Sequence, residues 1–377
     1  MSVRPSTLSR REFGAAMTAG ALLTTSRRSS AARNQEQTAT LYDRTIVIDA
    51  LANPGSMNVS WPPRGPLSQK QKDAIAASGI TAINVTVSAD FEGSVRNIAL
   101  WQGEADRYPS LLSIVRRHAD IGKAKQDKAL GLVLGFQNTD MIDRDLSRLE
   151  LFHRLGIRII QLTYNDRNLV GDGCLEPGNA GLSSFGRQVV ERMNALGIAV
   201  DLSHCGTQTT ADGITASSKP PLITHSGCRE VYRHPRSKED RELKAMAHKG
   251  GVVGIYFMPF IGPGPGAPTI EMLMRQIDHA IKVCGFDHVG IGSDLSVTPI
   301  EETPEYLSEH KTFVEGRARR GISAPDELRP LYIPELNHPR RLEGVVRGLV
   351  QRKYSNDAIE KIIGGNFHRV LKETWTL

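Results

Sequence analysis

Three short apolar runs end on side chains that bind metal ions or move protons. IAVDLSH ends at His204, PLITHSG carries His225, and VGIGSD ends at Asp294. Two neutral imidazoles on neighbouring strand ends can converge on one ion, and ring nitrogen is a ligand that suits zinc. Asp294 beside them is a candidate general base or proton shuttle, acting on a water whose pKa a metal would lower. The same residue types also serve as buried structural histidines and as loop-ordering carboxylates. Their position in the fold must decide between these roles.

A side chain at each strand end is how a (β/α)₈ barrel displays its chemistry. The chain alternates accordingly. Strand-like runs are expected at 45–51, 80–87, 129–138, 157–165, 198–205, 221–227, 250–257 and 288–295. They are β-branched and nearly continuous, as strands buried on both faces should be. Helical patterns follow at 94–128, 142–155, 185–196, 207–217, 239–249 and 270–284, with closing helices at 340–353 and 356–363. Eight alternations favour a single TIM barrel over a Rossmann sheet with a second domain. Residues 53–66 read as a Pro/Gly-rich loop. The charged stretch 298–334, after the eighth strand, reads as a loop over the barrel mouth, where loops set specificity.

The chain has 377 residues, 40% hydrophobic and 23% charged, enough for a large core. Its net charge of +6 is concentrated at the front, where Arg4, Arg10, Arg11, Arg27 and Arg28 oppose only Glu12. No nucleic-acid footprint is therefore expected. SRREFG, a short apolar run and small residues after it match a twin-arginine export signal over 1–32, with cleavage near Ala31–Ala32 and a periplasmic product. The apolar run is too short to span a bilayer, so no stable membrane anchor is expected after cleavage. Cys174, Cys205, Cys228 and Cys284 are scattered and make no disulfide framework, which leaves their pairing open. GPGPGAP (262–268) lacks the strand–glycine–helix setting of a nucleotide fingerprint.

LTYNDRNLVGDGCLEPGNAGLSSFGRQVVERMNALGIAVDLSH, THSGCREVYRHPR, VGIGSD and GGNFHRVLKETW together resemble the renal (membrane) dipeptidase family, peptidase family M19 of the amidohydrolase superfamily. The resemblance covers 43–377. It implies a metal-dependent TIM barrel, a binuclear zinc site and cleavage of dipeptides. It also implies second-metal ligands at His204 and His225, a proton-handling Asp294, a substrate carboxylate on Arg236, a substrate-binding role at Tyr164 and Asn165, and a homodimer. A guanidinium suits the carboxylate because its planar fork binds bidentately.

The front half departs from the family pattern. Where the family ends strand one with D-G-H-x-D, this chain has Asp49-Ala50-Leu51-Ala52-Asn53. Gln137 stands for the metal-bridging Glu, and Tyr164 for the substrate-polarising His. Leu binds no metal, and neutral amides replace carboxylates poorly. Gln137 and Asn53 remain weak ligand candidates. The chain thus reads as an exported M19-like metallohydrolase acting on a peptide-like substrate with one zinc ion, or none. Two alternatives stay open. One is a non-hydrolytic acid–base enzyme that isomerises or tailors a peptide-derived metabolite, with Tyr164 and Asp294 moving protons; the other is a non-catalytic binding protein.

Overall fold

The computed structural model describes residues 35–55 and 66–375. The export segment 1–32 lies outside the described residues, as does most of the 53–66 loop. After a helix over 35–44, eight parallel strands run in the order β1 (Ile48–Asp49), β3 (Ala82–Thr86), β5 (Leu130–Phe136), β6 (Ile157–Gln161), β7 (Ala199–Asp201), β8 (Leu222–Ser226), β9 (Val252–Ile255) and β10 (Val289–Ile291). The ring closes where the Ala50 N–H donates to the Ile291 carbonyl at 2.9 Å. Beyond that point β2 (Ala52–Asn53) pairs with β11 (Leu295–Ser296), which carries the seam between the first and eighth barrel strands into the mouth. This is a (β/α)₈ TIM barrel.

The wall has two apolar faces, as the period of two requires. Ile48, Ala82, Val133, Ile159, Ala199, Leu222 and Val252 meet in one cluster with Phe367, Val370 and Leu371 from the helix Asn366–Thr374. That helix closes one end of the barrel and leaves the chemistry to the other. The opposite faces, among them Ile83, Leu132, Leu134, Ile160 and Ile223, pack on the surrounding helices in a larger cluster.

Two segments differ from the sequence reading. The helix expected over 94–128 is split into helix Phe91–Arg107, strand β4 (Leu112–Ile114) and helix His118–Asp127. Pro109 accounts for the break, because a proline disfavours helical geometry at the residue before it. The loop expected over 298–334 contains a 16-residue helix, Pro304–Arg319, capped by the Thr303 hydroxyl. Among the described residues no helix is long and apolar enough to cross a membrane.

Candidate active site

His204 is brought to the mouth by a well-delimited unit. Helix Ser184–Leu196 starts at Ser183, whose hydroxyl accepts from the Gly186 N–H, and stops at Gly197 with φ 70°. The chain then enters β7, and Asp201 ends that strand as a buried hub. Its two oxygens accept from the backbone and hydroxyl of Ser203 (3.1 and 2.6 Å) and of Thr224 (2.9 and 2.6 Å). Asp201 thereby ties β7 to β8 and fixes the two histidines relative to each other. Close approach does the rest. A Cβ on Gly254 or Gly292 would come within 2.1 or 1.8 Å of the Thr224 carbonyl oxygen.

The hydrogen bonds fix the tautomers. Asn165 donates through Nδ2 to the Ile322 carbonyl, so its Oδ1 faces His204 Nδ1 at 2.6 Å and must accept. Thr224 gives its only hydroxyl proton to Asp201, so it offers a lone pair to His225 Nδ1 at 2.8 Å. Both rings therefore carry their proton on Nδ1, and two bare Nε2 atoms face each other at 2.9 Å. Lone pairs at that distance repel unless a cation lies between them. Burial, with Arg236 close by, pushes both imidazoles well below their usual pKa, which keeps them in the neutral form that ligates metals.

The remaining candidates face a cavity of about 680 Å³ at the mouth, lined by Leu51, Asn53, Gln137, Tyr164, Asn165, His204, Arg236 and Asp294, among others. His225 lies behind His204 and is fully buried. Tyr164 stacks on His204 with ring centroids 4.2 Å apart, and its hydroxyl oxygen accepts from Arg317 Nη1 at 3.0 Å. Burial raises the Tyr164 pKa, against the pull of Arg317, so the phenol stays protonated with its O–H free to donate. Arg236 is 3% exposed and anchored by Nη1 to the Ser203 carbonyl at 2.8 Å. Asp294 touches the cavity yet is surrounded by protein. Desolvation raises its carboxyl from 3.8 to about 7, opposed by Arg236 and Arg317 and assisted by Asp49. It sits at φ 60°, a strained setting that an aspartate tolerates better than most residues.

Two of the candidate residues are engaged by protein groups. Asn165, expected to bind substrate, has its oxygen on His204 and its amide nitrogen on Ile322. These two bonds orient the imidazole. Asn53, a weak ligand candidate, accepts the Gly55 N–H at 2.8 Å and closes a turn. Gln137 keeps its place at the cavity, with its backbone N–H on the Ser88 hydroxyl at 2.6 Å. Cys205 and Cys228 are buried away from the cavity, and the four cysteines are unpaired.

Sequence reasoning missed Asp201, Arg317 and Glu327. Arg317 and Glu327 form a buried bidentate pair, Nε–Oε2 2.9 Å and Nη2–Oε1 2.8 Å, that holds the 304–319 helix against Tyr164. Arg317 sits in the basic run GRARRG of the 298–334 stretch, which the sequence places over the mouth without singling out one of its charges. Asp201 sits in plain view in IAVDLSH, and a carboxylate inside a buried strand was its signal.

A two-ion centre does not fit these residues. The first-metal positions hold Leu51 and Asn53, and no carboxylate bridges at Gln137. Among the described residues only Glu230, Asp240 and His279 gather three ligand atoms within 4.8 Å, and none of them lines the cavity. The residues that would hold an ion are His204 and His225, whose Nε2 atoms face each other while each Nδ1–H is held by an outer acceptor.

The sequence matches the model of the family described as membrane dipeptidase (peptidase family M19) over residues 67–331. It is 27% identical over 288 residues to dipeptidase tcpJ of Claviceps purpurea, covering 76% of this chain and 60% of that protein. It is 32% identical over 224 residues to an uncharacterized dipeptidase of Schizosaccharomyces pombe, covering 57% of this chain and 54% of that protein. The chain thus spans little more than half the length of these relatives. The crystal structure of an amidohydrolase from Pseudomonas aeruginosa superposes with a TM-score of 0.79 at 31% identity, over 90% of this chain and 99% of that one.

Proposed function

Because the chain belongs to the membrane dipeptidase family, peptidase family M19, we propose that it hydrolyses a small carboxylate-bearing amide, such as a dipeptide, with one divalent ion held by His204 and His225. The observation that carries this reading is the pair of facing Nε2 atoms 2.9 Å apart at a cavity that Asp294 also lines. An ion bound there supplies carbonyl polarisation and a more acidic water. Arg236 takes the substrate carboxylate, its buried guanidinium already oriented by Ser203. Asp294, ionised above about pH 7, removes the proton from the attacking water and returns it to the departing amine. Tyr164 donates its O–H to the carbonyl oxygen as charge develops, while Arg317 holds the phenol in place.

The test is hydrolysis of a broad panel of L,L and L,D dipeptides by the full chain supplied with zinc. Turnover of at least one member is expected, and none at all overturns the reading. Export to the periplasm is part of the proposal and rests on residues 1–32 alone.

Leu51 and Gln137 at the cavity favour a second reading, in which Asp294 and Tyr164 move protons without hydrolysis, in an isomerisation or tailoring step. Two tightly held zinc ions per chain would contradict it.

A further inference from the structure

Arg236 is presented by a tight turn, His234-Pro235-Arg236-Ser237, closed by the Ser237 N–H donating to the His234 carbonyl at 3.0 Å. Pro235 stands at the second position, where its fixed φ already suits the turn. The His234 side chain adds a second closure, since its Nδ1 accepts the Arg236 N–H at 3.1 Å. With Nδ1 accepting, the ring proton must sit on Nε2, which donates to the Pro325 carbonyl at 3.1 Å. His234 is 2% exposed, and burial pushes its pKa down to about 4, so the neutral ring that these two bonds need is the form present. The ring lies flat on Phe260 of the cavity wall, with centroids 4.4 Å apart. The two hydrogen bonds are what the imidazole adds over a phenyl ring of similar size.

Pro325 belongs to the strap 322–329 that follows the mouth helix. Two residues on, Glu327 accepts the Ala324 N–H at 3.0 Å and grips Arg317, which donates to the Tyr164 hydroxyl at 3.0 Å. At the start of the strap, the Ile322 carbonyl accepts from Asn165, the residue that orients His204. One imidazole therefore joins the turn under Arg236 to the strap over Tyr164, across 91 positions of chain.

We propose that His234 is a positioning residue that couples Arg236 to the strap holding Tyr164. A carboxylate on Arg236 steadies the 234–237 turn, the turn steadies the imidazole, and the imidazole steadies Pro325 and with it the Glu327–Arg317 grip on the phenol. The proposal rests on reading Arg236 as the group that takes the substrate carboxylate.

Amide hydrogen exchange and isothermal titration calorimetry on the full chain test it, with N-acetyl-L-alanine as probe and N-acetyl-L-alaninamide as the control without a carboxylate. In the native protein the acid is expected to slow exchange at the Ala324 and Arg329 amides, which are hydrogen-bonded within the strap, while the amide leaves it unchanged. Two variants divide the imidazole's work. His234→Asn keeps an acceptor at the Nδ1 position and has nothing at Nε2; His234→Gln keeps a donor near Nε2 and loses the Nδ1 acceptor. The Asn variant is expected to hold the probe with native affinity and to lose the protection of the strap. The Gln variant is expected to keep the native exchange rate of the free strap and to bind the probe roughly fivefold more weakly, the worth of one hydrogen bond.

Strap exchange that the acid does not slow, or that the amide slows equally, overturns the coupling. So do Asn and Gln variants with the same effect on both readouts. The native comparison of acid with amide stands even where a variant does not fold. Neither readout depends on turnover. An inactive protein with this pattern contradicts the hydrolase reading and not the coupling; an active dipeptidase whose two variants behave alike does the reverse.

Discussion

His204 and His225 meet through two Nε2 atoms 2.9 Å apart, each ring anchored at Nδ1 by a different acceptor. The anchors make the pair a preorganised ligand set. The site's affinity for an ion therefore depends on residues that never touch it.

Asn165 is the clearest of these. Replacing it with Leu removes the acceptor that orients His204 and leaves the paired rings otherwise in place. Zinc affinity, measured by competition with a chelating dye, should fall roughly 10- to 100-fold. An unchanged affinity would mean that Asn165 does not position the imidazole.

Asp294 gives a pH signature with a definite sign. As a general base it works when ionised, so kcat/KM should climb with pH and level off above about 7. Asp294→Asn should lower kcat roughly 10²- to 10⁴-fold and flatten that rise. Stability should move the other way. The folded pKa of about 7 lies above the ordinary value of 3.8, so folding favours the protonated carboxyl. That contribution is full below pH 3.8 and is lost as pH rises through about 7. Relative to the native chain, the Asn variant should therefore show a Tm advantage at pH 8 that is smaller or absent at pH 4.

A further ion site should be installable at the positions where the family resemblance implies first-metal ligands. Leu51, Asn53 and Gln137 all face the cavity. The combined variant Leu51→His, Asn53→Asp and Gln137→Glu restores one imidazole and two carboxylates. It should bind more zinc per chain than the native protein by elemental analysis. If it binds no more, these three positions do not decide the number of ions.

Much of this architecture is legible in the amino-acid sequence. The β-branched runs ending at His204, His225 and Asp294 mark a barrel and its chemical end, because strand period and strand-end polarity are local properties. Tyr108-Pro109 is an equally local stop inside 94–128 that the amphipathic pattern masks. The roles of Arg317 and Glu327 are not legible. The sequence places 298–334 over the mouth, but it does not show the helix within it or which of its many charges that helix turns inward. The orientation of Asn165 toward His204 likewise depends on Ile322, 157 positions away.

The seam between the first and last barrel strands rests on a buried ion pair. Asp49 accepts from Arg341 at 2.9 Å and from the Ser293 backbone and hydroxyl at 2.7 and 2.6 Å, and both charged partners are at most 1% exposed. Asp49→Ala leaves Arg341 buried and uncompensated, and should cost about 3–5 kcal/mol of folding stability in denaturant titration. A cost within about 0.5 kcal/mol, typical of a surface substitution, would show that the seam holds without it.

Metal stoichiometry tests the one-ion site most directly. Protein purified without chelators or metal-affinity resin is assayed for bound metal by elemental analysis, alongside His204→Ala. One ion per native chain and close to none in the variant is the expected result. Two ions per native chain, or an ion that survives in His204→Ala, would contradict it.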